Sequence, residues 1–492
     1  PIVREYRRAS SAAIDASLKP MMQEYLLALQ EDLKDAGYQN DVLVSTSFGG
    51  VMHLSDIVEK PIFLVKSGPA MAPVAGMAYV ESENLAKDII VCDAGGTTFD
   101  VSLVRNGTVE FSRDTWLGPQ WIGDNLGMAS VAVHSIGAGG GSIAWIDSGG
   151  LLRVGPSSAG SEPGPACYNL GGTEPTVTDA AVVLGYIDPD HFLGGRMQLN
   201  KDKAIEAVSK ISEVFKESVE KSAYAIVTVA NENMIEAIKE LTINEGIDPS
   251  ESTLVAGGGA GGLGIIPIAG ELGCRTILVP RTAGALSASG MQFSDIITET
   301  GASQLTSSDN FNYEGVKKAL GSINKELDKF ESKLSARGVL EMERRYFVEA
   351  RYRFQVWELE IELRDSDFKD IDDVNDLVER FHQMHERVFA ITDEGQVVEC
   401  LNWRGRLIGK VETPNLQPST QASEEMEGRK KKTAFFDGQP LETTVRNGDD
   451  LKSGNIIHGP AIIEEQTSTL VVYPDSSVEV SAGGHYIIKS KK

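Results

Sequence analysis

One stretch constrains this chain more than any other: Asp93-Ala-Gly-Gly-Thr-Thr-Phe-Asp100, which follows the apolar run Ile89-Ile90-Val91-Cys92 and precedes Val101-Ser102-Leu103-Val104. Both flanks are short, rich in β-branched residues and bounded by polar ones, which predicts strand, tight turn, strand. Two adjacent glycines, Gly95 and Gly96, let the backbone pass close to a ligand because neither carries a Cβ. Their amides and those of Thr97 and Thr98 can point at phosphate oxygens, the two hydroxyls add donors, and Asp93 can hold a Mg²⁺ directly or through water. Taken alone, the same residues also make an ordinary hairpin turn, so the rest of the chain has to decide.

A second glycine joint lies at Ser252-Thr-Leu-Val-Ala256, followed by Gly257-Gly-Gly-Ala-Gly-Gly-Leu-Gly264 and an apolar helical stretch over 265–272. Strand, glycine loop and helix N-terminus together can receive a nucleotide's phosphates, or let its base and ribose lie against bare backbone. A Rossmann fingerprint is not matched: the acidic residue expected about 20 positions on is absent, and Arg281-Thr-Ala-Gly284 stands there instead. Between the two joints, residues 133–195 are dense in Gly and Pro, which predicts many tight turns. A linker would read the same way, but Trp145, Ile146, Leu151, Leu152, Cys167 and Tyr168 supply burial that linkers lack, so an ordered functional loop region is expected. His134, just before the glycine run, reads either as an acid or base or as a hydrogen-bonded structural histidine.

Elsewhere the periodicity predicts a long helix over 11–36, two helices over 201–245, a helix over 313–337, strands over 346–363, a helix over 374–389, and strands with turns from 397 on. The change of character places a boundary near residue 300, dividing the sequence into 1–300 and 301–492. His382 and Glu386 lie four apart on one face of the 374–389 helix with His385 beside them; ordinary helix-surface residues are expected, with a metal pair as the alternative. A chain of 492 residues has length for two to four domains. Its net charge of −25 opposes nucleic acid and anionic membranes. The one basic run, Arg429 to Lys432, sits in a polar stretch over 417–432 and reads as solvated loop. Four widely spaced cysteines, Cys92, Cys167, Cys274 and Cys400, fit reduced thiols rather than a disulfide frame or a zinc ribbon. No charged and apolar leader opens the chain and no run of about 18 apolar residues occurs, so a cytoplasmic protein without a membrane span is expected.

The order Ser67-Gly-Pro-Ala70, Asp93 to Asp100, Ile136-Gly-Ala-Gly-Gly-Gly-Ser142, Val154-Gly-Pro156, Pro163-Gly-Pro-Ala-Cys-Tyr168, Pro175-Thr-Val-Thr-Asp179, Phe192-Leu-Gly-Gly195, Gly257-Gly-Gly-Ala-Gly261 and Gly459-Pro-Ala-Ile-Ile-Glu464 resembles the hydantoinase A/oxoprolinase family. That family includes N-methylhydantoinase, 5-oxoprolinase, related lactamases, and the ATP-dependent acetone and acetophenone carboxylases. The resemblance implies an α/β, actin-like or sugar-kinase-like (ribonuclease H-like) ATPase fold with a β-rich C-terminal domain and ATP between two lobes. It makes Gly95, Gly96, Thr97 and Thr98 a phosphate loop and Gly257, Gly258, Gly259, Gly261 and Gly262 the adenosine loop. Asp93 becomes the candidate for Mg²⁺, and Asp93, Asp100 and His134 the candidates for catalysis.

The family uses ATP to phosphorylate a carbonyl or enol oxygen of a small substrate, so the resemblance implies ATP, Mg²⁺ and a hydantoinase B-like partner subunit. The segments Arg351-Tyr-Arg-Phe-Gln-Val-Trp-Glu-Leu359 and Leu470-Val-Val-Tyr-Pro474 resemble the ketone carboxylases more than the hydantoinases. A ketone carboxylase subunit is therefore expected, with a cyclic amidase subunit and a non-catalytic scaffold as alternatives. The family's earlier Asp-x-Gly-Gly-Thr loop has no counterpart before Asp93, which leads to the expectation that a separate chain supplies it or that the sequence is a fragment.

Overall fold

The computed structural model describes residues 5–112, 115–118, 122–414 and 430–489. The chain forms two compact units: one of Gly68–Glu110, Val131–Phe293 and Pro414–Lys492, the other of Pro1–Ser67, Phe111–Ser130 and Ser294–Thr413.

The first unit is built on a sheet ordered Val133–Ile136, Phe99–Arg105, Ile89–Ala94, Thr253–Gly257, Thr276–Val279, Tyr486–Lys489, Ser477–Val480 and Ile456–His458. Ile89–Ala94 and Phe99–Arg105 form the expected antiparallel hairpin. Ile89–Ala94, Thr253–Gly257 and Thr276–Val279 run parallel. The parallel strands read as continuous apolar runs because both faces are covered. On one face Ile90, Leu254 and Ile277 pack with Met234, Ile235 and Ile238 of the helix Val219–Glu245 and with Ile265 and Ile268 of the helix Gly261–Leu272. On the other, Val91, Val255 and Leu278 pack with Ala72, Ala75 and Tyr79 of the helix Ser67–Ser82. That helix comes in close through small residues: a Cβ on Gly76 would stand 2.7 Å from Val91 Cγ2.

The Gly- and Pro-rich region over 133–195 is ordered. Asp179 is fully buried and accepts hydrogen bonds from the amides of Ala166 (3.1 Å), Cys167 (2.7 Å) and Thr176 (3.0 Å) and from the Thr176 hydroxyl (2.7 Å). It thereby ties the Pro163-to-Tyr168 turns to the capping box that starts the helix Val177–Val183. A second sheet, Lys430–Phe436, Gln439–Asn447, Ala461–Glu464 and Thr469–Val472, shares a core with that helix and with Lys201–Phe215 and Val219–Glu245. The basic run expected to be solvated lies in part outside the described residues; Lys430 and Lys431 are exposed as expected, though on the strand Lys430–Phe436 rather than in a loop, and Lys432 departs from expectation. Lys432 is largely enclosed in this sheet, 3.5 Å from Glu464, and burial lowers its pKa.

The other unit has a six-stranded sheet ordered Leu43–Ser45, Val51–His53, Ile296–Ser307, Val398–Gly409, Met342–Tyr352 and Leu359–Leu363. The helices Tyr313–Ala336 and Ile371–Phe389 supply Ile323, Leu327, Leu377 and Phe381 to its core beside Trp403. Residue 300, where the sequence changes character, lies within the strand Ile296–Ser307. His382 and His385 are buried, not surface residues as expected. Tyr352 Oη meets His382 Nδ1 at 2.6 Å and His385 Nδ1 meets the Ile391 carbonyl at 2.7 Å, so both rings are held by their packing.

Replacing Asp179 by alanine strands four buried donors at once. Asp179→Ala is expected to lower unfolding free energy by about 3 kcal/mol or more, read from urea denaturation.

Candidate nucleotide site

Because Ile89–Ala94 and Thr253–Gly257 are parallel with Asp93 opposite Gly257, both glycine turns leave the sheet at its carboxyl edge, where open α/β sheets bind ligands. The turns are fastened together by Ala260 N, which donates to Ala94 O at 3.0 Å, while Gly258 N donates to Ala283 O at 2.7 Å and ties the second turn to the segment after the strand Thr276–Val279. Gly258 has φ +81°, and a Cβ there would fall 2.0 Å from Ala94 O, so only glycine fits. A third turn joins them. Gly140 N donates to Gly95 O (3.0 Å), Gly141 N donates to Gly96 O (2.6 Å), and Thr178 bonds Gly140 O through its amide (2.7 Å) and its hydroxyl (2.8 Å). With its carbonyls held from behind, the Gly96-Thr97-Thr98 tip is exposed, and a Cβ on Gly96 would meet nothing within 4 Å.

These turns border a cleft of about 700 Å³ within the first unit. Gly95, Gly96, Gly140, Gly259, Ala260 and Thr178 form its backbone-rich wall; Ile187, Phe192, Leu193 and Leu263 form an apolar one; Asp188, Glu464 and Glu465 bring carboxylates. The helix Gly261–Leu272 begins here with Ala260 at its N-cap and no side-chain cap, leaving the positive end of its dipole available to an anion. Amide-rich backbone, an apolar wall and acceptor carboxylates suit a nucleotide's phosphates, base and ribose in turn.

Asp93 and Asp100 are direct cross-strand partners, so their carboxylates share one face of the hairpin. Burial raises the Asp93 pKa, the neighbouring Asp100 charge raises it further, and a 2.9 Å hydrogen bond donated by Ser287 Oγ works against both. Among the described residues no group of three or more His, Cys, Asp or Glu side chains forms a metal cage. A carboxylate pair is nevertheless the donor set that Mg²⁺ uses when phosphates complete its shell.

Other predicted residues fall elsewhere. Gly95's own amide is taken up inside its turn by Thr98 O at 2.9 Å. Gly257 and Gly262 serve close packing, with a Cβ meeting Leu286 Cδ2 at 2.3 Å and Thr469 O at 2.3 Å respectively, whereas a Cβ on Gly261 would have 4.0 Å of clearance. His134 pairs with Val101, so strand alternation puts it on the face opposite Asp100; there it approaches Glu240 at 4.0 Å. Sequence reasoning passed over Ser287, which stands in a small-residue segment with nothing to mark it. It also left Gly140 and Thr178 without a role, although both sit in quoted motifs. Asp188 and Thr467 to Thr469 carry no signal readable without the fold.

The two kinds of glycine separate by stability. Gly258→Ala is expected to cost about 2 kcal/mol or more through its positive φ and the backbone clash. Gly96→Ala is expected to stay within about 0.5 kcal/mol of the parent in the same thermal or denaturant measurement.

The hydantoinase/oxoprolinase family pattern matches residues 8–300, and its C-terminal domain pattern matches 314–491. Caprolactamase subunit alpha of Pseudomonas jessenii is 34% identical over 504 residues, covering 99% of this chain and 70% of its own. The acetophenone carboxylase gamma subunit of Aromatoleum aromaticum is 31% identical over 519 residues, covering 99% and 68%. The crystal structure of the ATP-dependent caprolactamase from Pseudomonas jessenii superposes with a TM-score of 0.86 at 31% identity, covering 100% of this chain and 71% of that one. Two glycine turns side by side at the edge of a mixed sheet covered on both faces are the actin-like ATPase arrangement, and with matches over nearly its whole length the chain belongs to the hydantoinase/oxoprolinase family.

Proposed function

We propose that this chain is the ATP-binding subunit of an enzyme that phosphorylates a carbonyl or enol oxygen of a small substrate. The register that sets Asp93 beside Gly257 carries the reading, since it makes one cradle of two turns that are each ambiguous alone. The exposed amides of the Gly96-Thr97-Thr98 tip and the start of the helix Gly261–Leu272 bind phosphate oxygens, and Thr97 and Thr98 add hydroxyl donors. Asp93 and Asp100 would hold Mg²⁺, which neutralises charge on the phosphates when bound. Buried and facing Asp100, Asp93 ionises less readily than an ordinary carboxyl, and a bound cation would offset that. For the substrate we favour a cyclic amide, supported by the likeness to caprolactamase in sequence and structure. A ketone, with carboxylation to follow, is the second reading, supported by the acetophenone carboxylase relative. Both relatives are named as subunits, which supports a partner here too, of the hydantoinase B kind.

Isothermal titration of Mg·ATP into the chain tests the reading: micromolar to millimolar binding is expected, weakened at least tenfold by Asp93→Asn. Absence of binding, alone and with a co-purified partner, would leave only a scaffold role.

Without Mg²⁺ at pH 7 the same Asp93→Asn variant should be more stable than the parent, by about 1 kcal/mol, as is common when a strained site residue is relieved. The sign follows from the raised folded-state pKa. The native protein holds this proton more tightly than the unfolded chain does, so the penalty is absent below the ordinary carboxylate range and grows as pH rises through the raised value. The stability difference should therefore vanish in acid.

Ser287→Ala removes the bond that opposes the rise, so the acid limb of Mg·ATP affinity against pH should move to higher pH. An unmoved limb would separate Ser287 from Asp93 titration.

A further inference from the structure

The other unit exposes an apolar surface to which no role has been given. It is built from two turns that meet at His385. The first, over residues 353–358, joins the strands Met342–Tyr352 and Leu359–Leu363; the second follows the helix Ile371–Phe389. Gln355 Nε2 lies 3.3 Å from His385 Nε2, His385 Nδ1 lies 2.7 Å from the Ile391 carbonyl oxygen, and Asp393 N donates to Tyr352 Oη at 2.9 Å. The Phe389 and His385 ring centroids are 4.7 Å apart. Buried Tyr352 and His385 thus clamp the two turns together, and the turns carry apolar side chains outward. Phe354 is 91% exposed, Ile391 65% and Phe389 45%, with Val356 and Trp357 also exposed in the first turn.

Apolar residues scattered singly over a surface need no explanation, but five on two clamped turns form a patch, and such patches mark protein contacts. Phe354 adds an independent sign. Its φ is +76°, a left-handed conformation that costs a bulky residue free energy, and a ring so exposed recovers little of it by packing. Glycine would sit there without strain.

The rim decides the kind of partner. Arg351 and Arg353 are taken up by Glu358, Glu399 and Asp309, and Arg387 is likewise engaged. Asp393 and Glu394, shortly after Ile391, are exposed and stand in no ion pair among the described residues. A second copy would bring the same carboxylates together on chains of net charge −25 each, which disfavours self-association.

We propose that this surface docks a different protein chain, through a segment whose apolar side chains are flanked by lysine or arginine. Phe354 is the anchor, its strain repaid only when the ring is covered, and Asp393 and Glu394 meet the basic flanks. That the docked chain is the hydantoinase B-like subunit rests on the function proposed above; the surface does not.

The probes are two synthetic helices with leucine and phenylalanine along one face, one flanked by lysine and the other by glutamate. Each is titrated into the full 492-residue chain by fluorescence anisotropy, at about 150 mM salt so that the general charge of the chain is largely screened. The lysine helix is expected to bind at least tenfold more tightly than the glutamate one. Phe354→Gly removes the anchor and suits the positive φ, so it should weaken lysine-helix binding at least tenfold while the melting temperature holds or rises. Ile391→Ser should weaken the same binding. Neither substitution alters net charge, so affinity indifferent to both would mean unspecific attraction and would overturn the proposal. Equal binding of the two helices, binding of neither, or a dimer of the chain in sedimentation velocity that Phe354→Gly abolishes would overturn it as well. A parallel Mg·ATP titration separates the two readings: lysine-helix binding without Mg·ATP binding supports the surface and sinks the nucleotide site, and the reverse result does the opposite.

Discussion

The cross-strand register that puts Asp93 beside Gly257 is the constraint on which the site depends. Parallel pairing makes both strands end at the same edge, so two turns distant in the chain become neighbours without either having to be long or unusual. The Ala260 N to Ala94 O bond then sets their spacing, and the absence of a side chain at Gly258 is what permits the approach. The Gly139-Gly140-Gly141 turn braces the assembly from behind by taking up the carbonyls of Gly95 and Gly96. Each brace is a backbone bond, which explains the density of glycine: side chains are excluded where main chains touch.

The same edge concentrates charge of one sign. Asp93 and Asp100 face each other, and burial works against ionising Asp93. The Ser287 hydroxyl eases it. Such a site is less stable than an apolar one of the same shape, and the imbalance has a use: a cation with bound phosphates resolves it, so ligand binding and local stability are coupled. Asp179 shows the contrasting solution. It is more deeply buried, yet four donors satisfy it, and it acts as a structural pin in the loop region beside the cleft.

The hairpin around Asp93 and the strand, glycine loop and helix from Thr253 were legible because each is a local pattern, alternating or continuous apolar residues broken by glycine. The Asp93 and Asp100 pairing follows from the hairpin itself. What no local pattern contains is that the two strands are parallel neighbours, or that Tyr486–Lys489 and Ser477–Val480 return to the same sheet; the ordered set of motifs shared with a family supplied the joint use of the turns. His382 and His385 were misjudged because a polar residue at helical spacing reads as surface, whereas Tyr352 and the Ile391 carbonyl satisfy them inside. Lys432 was misjudged in the same way: a basic run reads as solvated until Glu464 is found opposite it. His134 lies across the sheet from Asp100, a consequence of strand alternation that appears only once its register with Val101 is known.

The central claim is that the turns at Asp93, Gly139 and Gly257 form a single nucleotide cradle. Amide hydrogen exchange of the chain with and without Mg·ATP tests it most directly. The account predicts slowed exchange together at residues 94–98, 138–141 and 258–264, with the face carrying His134 unchanged. Protection at one turn alone, or at none of them while nucleotide is bound elsewhere, would contradict it.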